Sequence, residues 1–117
     1  MQRDEIVLAE IVSALERVIE LTSGRTSAEL AGDPDRRDAL LWNYTVLGEA
    51  IGQLSKDLKA SHGAISWADP VRLRNRVVHG YWSVDLDVLV ATARNARPGF
   101  LASVRGVQAA LPPEPES

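Results

Sequence analysis

The spacing of apolar residues predicts that the chain is built from helices. From about Arg3 to Ser23, apolar residues recur at intervals of three and four, which places them along one face of a long helix. Gly24 follows this segment, and a glycine there ends a helix because it adopts the left-handed conformation without steric cost. Thr26 and Glu29 have the spacing of a capping box, which predicts a short helical turn after this glycine.

A second long helix is predicted from about Pro34 to Ala60, with Asp33 as its N-cap. Its main apolar stripe steps by three and four without interruption, and a second stripe of mixed character lies on another face. Two stripes indicate either packing against two neighbouring helices or a face reserved for a dimer contact or a cleft wall. The first stripe is Leu40, Tyr44, Leu47, Ile51, Leu54 and Leu58, and the second is Trp42, Val46, Glu49 and Gln53.

A third helix is predicted from about Trp67 to His79, ending at Gly80. Ser66 and Asp69 have capping-box spacing before it, and Pro70 is tolerated because it falls in the first turn. The preceding turn contains His62, to which we assign no role.

Ser83 or Asp85 is expected to cap a fourth helix. Pro98-Gly99 interrupts its apolar pattern, which predicts a kink or a break followed by a helix from Gly99 to about Leu111. The pattern consists of Leu86, Leu89, Ala93, Ala96, Phe100 and Val104. Together these elements predict an all-α, antiparallel bundle of four to five helices in a single domain, residues 1–111, with a disordered tail at 112–117.

Composition narrows the class of protein. Hydrophobic residues make up 45% of the chain and charged residues 25%, which is ordinary for one globular core. The absence of cysteine excludes a disulfide framework, a thiolate zinc site and a cysteine nucleophile, and two histidines argue against a His-rich metal site. Neither a membrane span nor a secretory signal is evident, so we expect a cytoplasmic protein that binds no membrane.

Charge is distributed unevenly along the chain. The net charge of −3 argues against nucleic-acid binding driven by overall charge. Between Asp69 and Asp85 there is no acidic residue, however, and this segment contains Arg72, Arg74, Arg76 and His79. A cationic segment on an acidic protein indicates a focused anionic ligand, and a solvated arginine face is the alternative interpretation.

Arg74 and His79 are the residues of this segment best suited to chemistry on a phosphate. The guanidinium of Arg74 stays charged and offers a fork of donors, while the imidazole of His79 can take or give a proton near neutral pH. Asn75 lies four residues before His79 and could orient its ring. Arg74 lies five residues before His79, about 140° around the helix. A single helix therefore cannot easily direct both Arg74 and His79 at one phosphate. A cleft between two symmetry-related copies would solve this, because each copy would present its motif to the same strand.

The spacing Arg-x4-His-x-Tyr, formed by Arg74, His79 and Tyr81, resembles the motif of HEPN-domain ribonuclease toxins. More closely, the chain is similar to the HepT family, the toxin partners of minimal nucleotidyltransferase (MNT) antitoxins. The similarity extends over nearly the whole chain and predicts a HEPN-like helical bundle. It includes Leu47-Gly48-Glu49-Ala50, Ile65-Ser66-Trp67, Arg74-Asn75, His79-Gly80-Tyr81 and Val84-Asp85.

This resemblance implies a metal-independent endoribonuclease that acts as a homodimer on tRNA or mRNA, without a cofactor. Arg74 would hold the scissile phosphate, and His79 would act as general acid and base in attack by the ribose 2′-hydroxyl. Asn75 would orient the site or contact phosphate, and Glu49 would line the cleft. The block of basic residues would contact RNA through Arg72 and Arg76.

The resemblance also implies control by a partner enzyme in a type VII-like toxin–antitoxin system. An MNT antitoxin would add adenylate to Tyr81, and the added bulk and negative charge would block the cleft beside Arg74 and His79. The rival interpretation is a non-catalytic helical binding subunit for a nucleotidyltransferase.

Overall fold

The computed structural model describes residues 2–80 and 85–111, and within them every regular element is a helix, as the sequence predicts. No helix of this part of the chain combines the length and apolar character that crossing a membrane requires. The single-domain assignment stays a prediction, and the expected tail at 112–117 lies outside the described residues. The helices are α1 (Gln2–Thr22), α2 (Ser27–Ala31), α3 (Pro34–Gln53), α4 (Lys56–Ser61), α5 (Ala68–His79), α6 (Leu86–Asn95) and α7 (Arg97–Ala110).

The predicted signals between α1 and α3 are confirmed. Gly24 has a φ of 68°, the left-handed conformation expected after α1. The Thr26 hydroxyl accepts a hydrogen bond from the backbone N–H of Glu29 at 3.1 Å, and the Glu29 carboxylate accepts one from the Thr26 N–H at 3.2 Å. Asp33 caps α3 by accepting a bond from the Arg36 N–H at 3.3 Å. Local sequence therefore sets these boundaries.

The predicted continuous helix from Pro34 to Ala60 is wrong, because the chain breaks between α3 and α4. Ser55 caps α4 by accepting a hydrogen bond from the Leu58 N–H at 3.2 Å. The buried carboxylate of Asp4 in turn accepts bonds from the Ser55 N–H at 3.0 Å and the Ser55 hydroxyl at 2.7 Å. The apolar stripe runs through the break, since both Leu54 and Leu58 are buried.

The predicted capping box before α5 is also wrong. Trp67 occupies the N-cap position, and no side chain caps the helix there. Asp69 forms an ion pair with Arg72 within the first turns of α5. Packing fixes this helix start, because the Trp67 indole is buried, donates to the His62 carbonyl at 3.1 Å and lies edge-on to Phe100.

The predicted fourth helix is divided into α6 and α7. Asp85 caps α6 by accepting a hydrogen bond from the Asp87 N–H at 2.9 Å, and the alternative cap, Ser83, lies outside the described residues. The predicted break is confirmed, but it falls at Ala96, so α7 begins at Arg97 and includes Pro98 in its first turn. Because α7 is a new helix, the buried positions shift by one residue. Arg97 and Leu101 are buried, whereas the predicted Ala96 is exposed and the predicted Phe100 is half-buried.

Two apolar clusters hold the helices together. One joins the first half of α1 to the end of α3, α4 and α7, and the other joins the end of α1 to α2, the start of α3, α5 and α6. Helix α3 lies between α1 and α5, and this arrangement sets the position of the basic helix α5. The largest fully buried side chains include Tyr44, Leu8, Ile11, Leu15, Leu30, Leu40, Leu47, Ile51 and Leu89.

Candidate active site

Helices α3 and α5 cross closely at Gly48. A Cβ atom added to this buried glycine would lie 2.7 Å from the Cγ atom of Arg74 and 3.0 Å from the carbonyl oxygen of Pro70. Only a glycine leaves room for α5 at this point. The crossing therefore places the root of the Arg74 side chain directly on the surface of α3.

The guanidinium of Arg74 is held by two neighbours. Its Nη2 atom lies 2.8 Å from a carboxylate oxygen of Glu49, and its Nη1 atom donates to the side-chain oxygen of Asn75 at 2.9 Å. The Nε atom is buried and has no hydrogen-bond partner among the described residues. The side chain of Arg74 is 28% exposed and that of Glu49 is 58% exposed. The guanidinium is thus oriented by the protein yet remains reachable from solvent.

Asn75 contacts the arginine of the predicted pair. The sequence suggested that its amide could orient His79, but the amide oxygen accepts a hydrogen bond from Arg74. Asn75 is an exposed residue, so this contact lies at the protein surface next to the guanidinium.

His79 is an exposed residue at the carboxyl end of α5. It lines a groove of about 370 Å³ between α5 and α6, together with Arg76, Gly80, Asp85 and Val88. The groove thus combines a titratable side chain with a guanidinium and a carboxylate.

Arg74 and His79 leave α5 on different sides. Arg74 contacts Glu49 of α3, whereas His79 lines the groove towards α6. Within the described part of the chain, the residues around this groove do not include Arg74. A single copy therefore divides the predicted catalytic pair between two surfaces of one helix.

The remaining basic residues of α5 differ in their surroundings. Arg72 is exposed and pairs with Asp69 on its own helix, while Arg76 is exposed along the α5–α6 groove. Tyr81, the predicted site of adenylation, lies outside the described residues. Across residues 2–80 and 85–111, no group of three or more His, Cys, Asp or Glu side chains is arranged to hold a metal ion.

The second stripe of α3 faces outward. Trp42 is 66% exposed, and Glu49 and Gln53 are exposed as well. Gln53 nevertheless accepts a hydrogen bond from Arg3 of α1 at 2.6 Å, Glu49 pairs with Arg74 of α5, and half-buried Val46 packs against the core. The stripe therefore contributes to packing against two neighbouring helices, and its largely exposed Trp42 remains the candidate for a dimer contact. A shallow depression of about 170 Å³ runs beside the stripe, with Glu10 of α1 on its other wall.

A buried charge at Arg97 was not predicted from the sequence. This residue is only 4% exposed, and its guanidinium lies 5.7 Å from the centre of the Phe100 ring. Burial lowers the pKa of Arg97, and the nearby Tyr44 offsets part of this effect. A signal was present in the spacing: Arg97 follows Ala93 by four residues and precedes Val104 by seven, and both are buried.

Comparison with known proteins gives a consistent result. A family model described as "Ribonuclease HepT-like" matches residues 11–107. A protein of Thermococcus cleftensis named "Probable ribonuclease HepT" is 29% identical over 93 residues, covering 80% of this chain and 84% of the relative. Two proteins named as putative RNases are also similar. The one from Methanocaldococcus jannaschii is 22% identical, covering 86% and 83% of the two chains. The one from Caldanaerobacter subterraneus subsp. tengcongensis is 23% identical, covering 86% and 89%. No solved structure matches the chain significantly.

Proposed function

The chain belongs to the HepT-like ribonuclease family, and from this membership and the geometry of α5 we propose that it is an endoribonuclease using Arg74 and His79. The observation that carries the proposal is that the guanidinium of Arg74 is already oriented before any ligand binds. A glycine crossing, a carboxylate and an amide orient its guanidinium, while more than a quarter of the side chain remains exposed. A binding group held in this way loses little conformational entropy when it meets a phosphate.

Arg74 holds the scissile phosphate in this mechanism. Its fork of N–H donors matches two phosphate oxygens and stabilises the negative charge that develops on them during the reaction. Glu49 and Asn75 keep the guanidinium in position, and the side-chain amide of Asn75, an exposed residue, is a further donor beside it.

His79 transfers the protons. As a neutral base it takes the proton of the ribose 2′-hydroxyl while the 2′-oxygen forms a bond to phosphorus. The bond from phosphorus to the 5′-oxygen breaks, and the imidazolium returns a proton to that leaving oxygen. The products are a 2′,3′-cyclic phosphate and a 5′-hydroxyl. No metal ion is needed for these steps, and DNA is not cleaved because it lacks the 2′-hydroxyl.

The active form is a symmetric dimer in this proposal. Arg74 and His79 leave α5 on different sides, so two copies can present the arginine of one and the histidine of the other to one RNA strand. The outward stripe of α3, with its largely exposed indole at Trp42, is the surface proposed for pairing. Arg72 and Arg76 contact the RNA backbone beside the cleft.

We further propose that an MNT antitoxin neutralises this ribonuclease by adenylating Tyr81. The residue follows His79 by two positions, so the adenylate would add negative charge within side-chain reach of the catalytic groups. Tyr81→Phe should remain active and escape modification when the two proteins are expressed together. Mass spectrometry of the pair tests this, and adenylate on another residue would contradict it.

One observation favours the rival function, a non-catalytic binding subunit for a nucleotidyltransferase. The guanidinium of Arg74 is already engaged by Glu49 and Asn75, as it would be if its role were only to join α5 to α3. The two functions differ in a simple respect, since only a ribonuclease toxin arrests growth when it is produced without its partner.

Expression of the chain alone tests the proposed activity. The unchanged protein should arrest growth and degrade cellular RNA, and purified protein should cleave RNA in the presence of EDTA. Arg74→Ala and His79→Ala should each lower cleavage at least 100-fold. His62→Ala and Arg105→Ala are matched controls of the same residue types outside α5, and they should keep full activity. Cleavage that disappears with EDTA and returns with magnesium would overturn the mechanism.

A further inference from the structure

The groove that contains His79 continues along α5 towards the start of that helix. Its second part has a volume of about 410 Å³ and reaches Asp69 and Arg97. Leu73, Arg76 and Val88 line both parts, so the two depressions adjoin between α5 and α6, and we call them together the channel. From Asp69 to His79 this channel follows α5 for about 15 Å, which exceeds the size of a single phosphate group.

Arg97 lies at the far end of this channel, and its burial is unusual for an arginine. The side chain lines the channel although the residue is only 4% exposed. Its Nε atom is buried and, among the described residues, has no hydrogen-bond partner. A buried donor without a partner is costly, and native proteins pair nearly all such groups. An oxygen ligand in the channel would bring acceptors to this guanidinium.

The charge around Arg97 fits an anion. Arg72, Arg76 and Arg97 all line this part of the channel, and Asp69 is the carboxylate beside them. Asp69 pairs with Arg72 and also attracts the charge of Arg97, so three guanidinium groups share one carboxylate and positive charge is in excess. From the side of α6 the channel is lined by Val88 and half-buried Thr92, neither of which is charged. The second part of the channel is thus positively charged and contains a neutral hydrogen-bonding group.

We propose that Arg97, Arg76 and Thr92 form a binding subsite for an RNA backbone phosphate that is not the one cleaved. This inference rests on the proposed ribonuclease function, because the ligand is the substrate strand of the His79 groove. The adjacency of the two parts favours a polynucleotide, since a strand lying past His79 would reach Arg97 across the residues that both parts share. The subsite would hold the strand in register while the reaction takes place at the other end.

A pair of variants on α6 tests the subsite. Thr92→Glu places a carboxylate within the channel, whereas Ala91→Glu adds the same charge to the adjacent exposed position outside the channel lining. Both are made in His79→Ala protein, so that RNA is not cleaved during the measurement. Binding of a fluorescent ten-nucleotide oligouridylate is followed by anisotropy at several salt concentrations, and circular dichroism checks the fold of each variant.

The expected result is a difference between the two variants. Thr92→Glu should weaken binding at least tenfold at low salt, and Ala91→Glu should weaken it by less than threefold. The dependence of log K on log salt should become shallower by about 0.7 for each phosphate that the Thr92→Glu protein no longer neutralises. Equal weakening by the two variants would overturn the subsite.

A second pair of variants tests the subsite if Thr92→Glu does not fold. Ala96→Glu adds a carboxylate at an exposed position that lines the second part of the channel but not the His79 part, and Ala102→Glu adds one at an exposed position of α7 outside both linings. Only Ala96→Glu should weaken binding by threefold or more, and equal effects would again overturn the subsite.

The fate of the subsite can be separated from that of the proposed function. Cleavage by protein with His79 intact is measured independently of these binding experiments. If protein with His79 intact cleaves RNA but Thr92→Glu and Ala91→Glu bind it equally, the subsite is rejected and the proposed function is kept. Channel-dependent binding without any cleavage would reject the nuclease and keep the phosphate site.

Discussion

Gly48 of α3 lies directly against the Cβ and Cγ atoms of Arg74 on α5. The absence of a side chain at Gly48 lets the two helices approach until Glu49, the next residue, reaches the guanidinium at 2.8 Å. The same glycine therefore serves the packing of the bundle and the orientation of the proposed phosphate-binding group. Changes at this crossing should affect both stability and activity.

Gly48→Ala should separate α3 from α5. The added methyl group would overlap the Arg74 side chain and press on the Pro70 carbonyl, at an expected cost of about 1–3 kcal/mol in the free energy of unfolding. Cleavage should fall with it, because Arg74 is displaced. Gly52→Ala is the matched control, since a Cβ atom there meets nothing within 4 Å, and it should stabilise the helix by about 0.5–1 kcal/mol. Urea denaturation measures both, and equal effects would contradict the prediction.

Glu49→Gln should have opposite effects on RNA binding and on cleavage. Removal of the carboxylate frees Arg74 from a competitor for phosphate, so RNA affinity at low salt should rise about two- to fivefold. The rate at saturating RNA should fall about tenfold, because the guanidinium is no longer oriented. Glu20→Gln changes the net charge equally at an exposed carboxylate that pairs with Arg17 on α1, and it controls for the change in charge. Single-turnover kinetics separate the two effects, and unchanged values of both would exclude a role for Glu49.

Asp4→Ala should destabilise the break between α3 and α4. The buried carboxylate accepts bonds from both the N–H and the hydroxyl of Ser55, so its removal leaves these donors unpaired. The expected loss is about 1–3 kcal/mol, visible as a lower melting temperature. Asp57→Ala, at an exposed position of α4, should have little effect. Similar melting temperatures for Asp4→Ala and the unchanged protein would show that the break does not depend on this contact.

Tyr44 should make stability depend on pH in the alkaline range. Burial raises the pKa of Tyr44 from 10.0 to about 12. The unfolded chain therefore loses this proton at lower pH than the folded chain, and stability falls as the pH rises from 10 towards 12. The loss amounts to roughly 2–3 kcal/mol in total.

Tyr44→Phe isolates this effect. It removes the hydrogen bond from the Tyr44 hydroxyl to the Leu89 carbonyl, 2.6 Å long, at a cost of about 1 kcal/mol at neutral pH. As the pH rises above 10, the difference in unfolding free energy between the two proteins should shrink and then change sign, because the loss of roughly 2–3 kcal/mol exceeds the initial advantage of about 1 kcal/mol. A difference that stays constant from pH 8 to pH 11.5 would contradict the assignment.

Trp42→Ser should weaken self-association. The indole is 66% exposed on the outward face of α3, which is the surface proposed for the dimer. The unchanged protein should be a dimer by light scattering at tens of micromolar, and the variant should shift to the monomer. Val88→Ala alters another exposed apolar residue and should leave the dimer intact. A monomeric unchanged protein would remove the basis for an active site shared between two copies.

Some boundaries of this protein follow from local sequence. The capping contacts of Thr26, Asp33 and Asp85 join each residue to a backbone N–H two or three positions ahead, so no distant part of the chain is needed to form them. The amphipathic stripe of α1 is local in the same sense. The Arg74–His79 spacing on one helix was also visible, including the 140° or so that separates the two side chains.

Other features depend on residues far apart in the chain. At the end of α3, Ser55 is hydrogen-bonded to Asp4, which is 51 positions away, whereas the apolar stripe alone predicts an uninterrupted helix. The partner of Arg74 is Glu49 of another helix, and Arg97 is buried because α7 restarts in a new register after Ala96. Periodicity shows which face of a helix is apolar. Which polar group meets which across a helix crossing is decided only when the helices pack, because it depends on distances between backbones that local sequence does not encode.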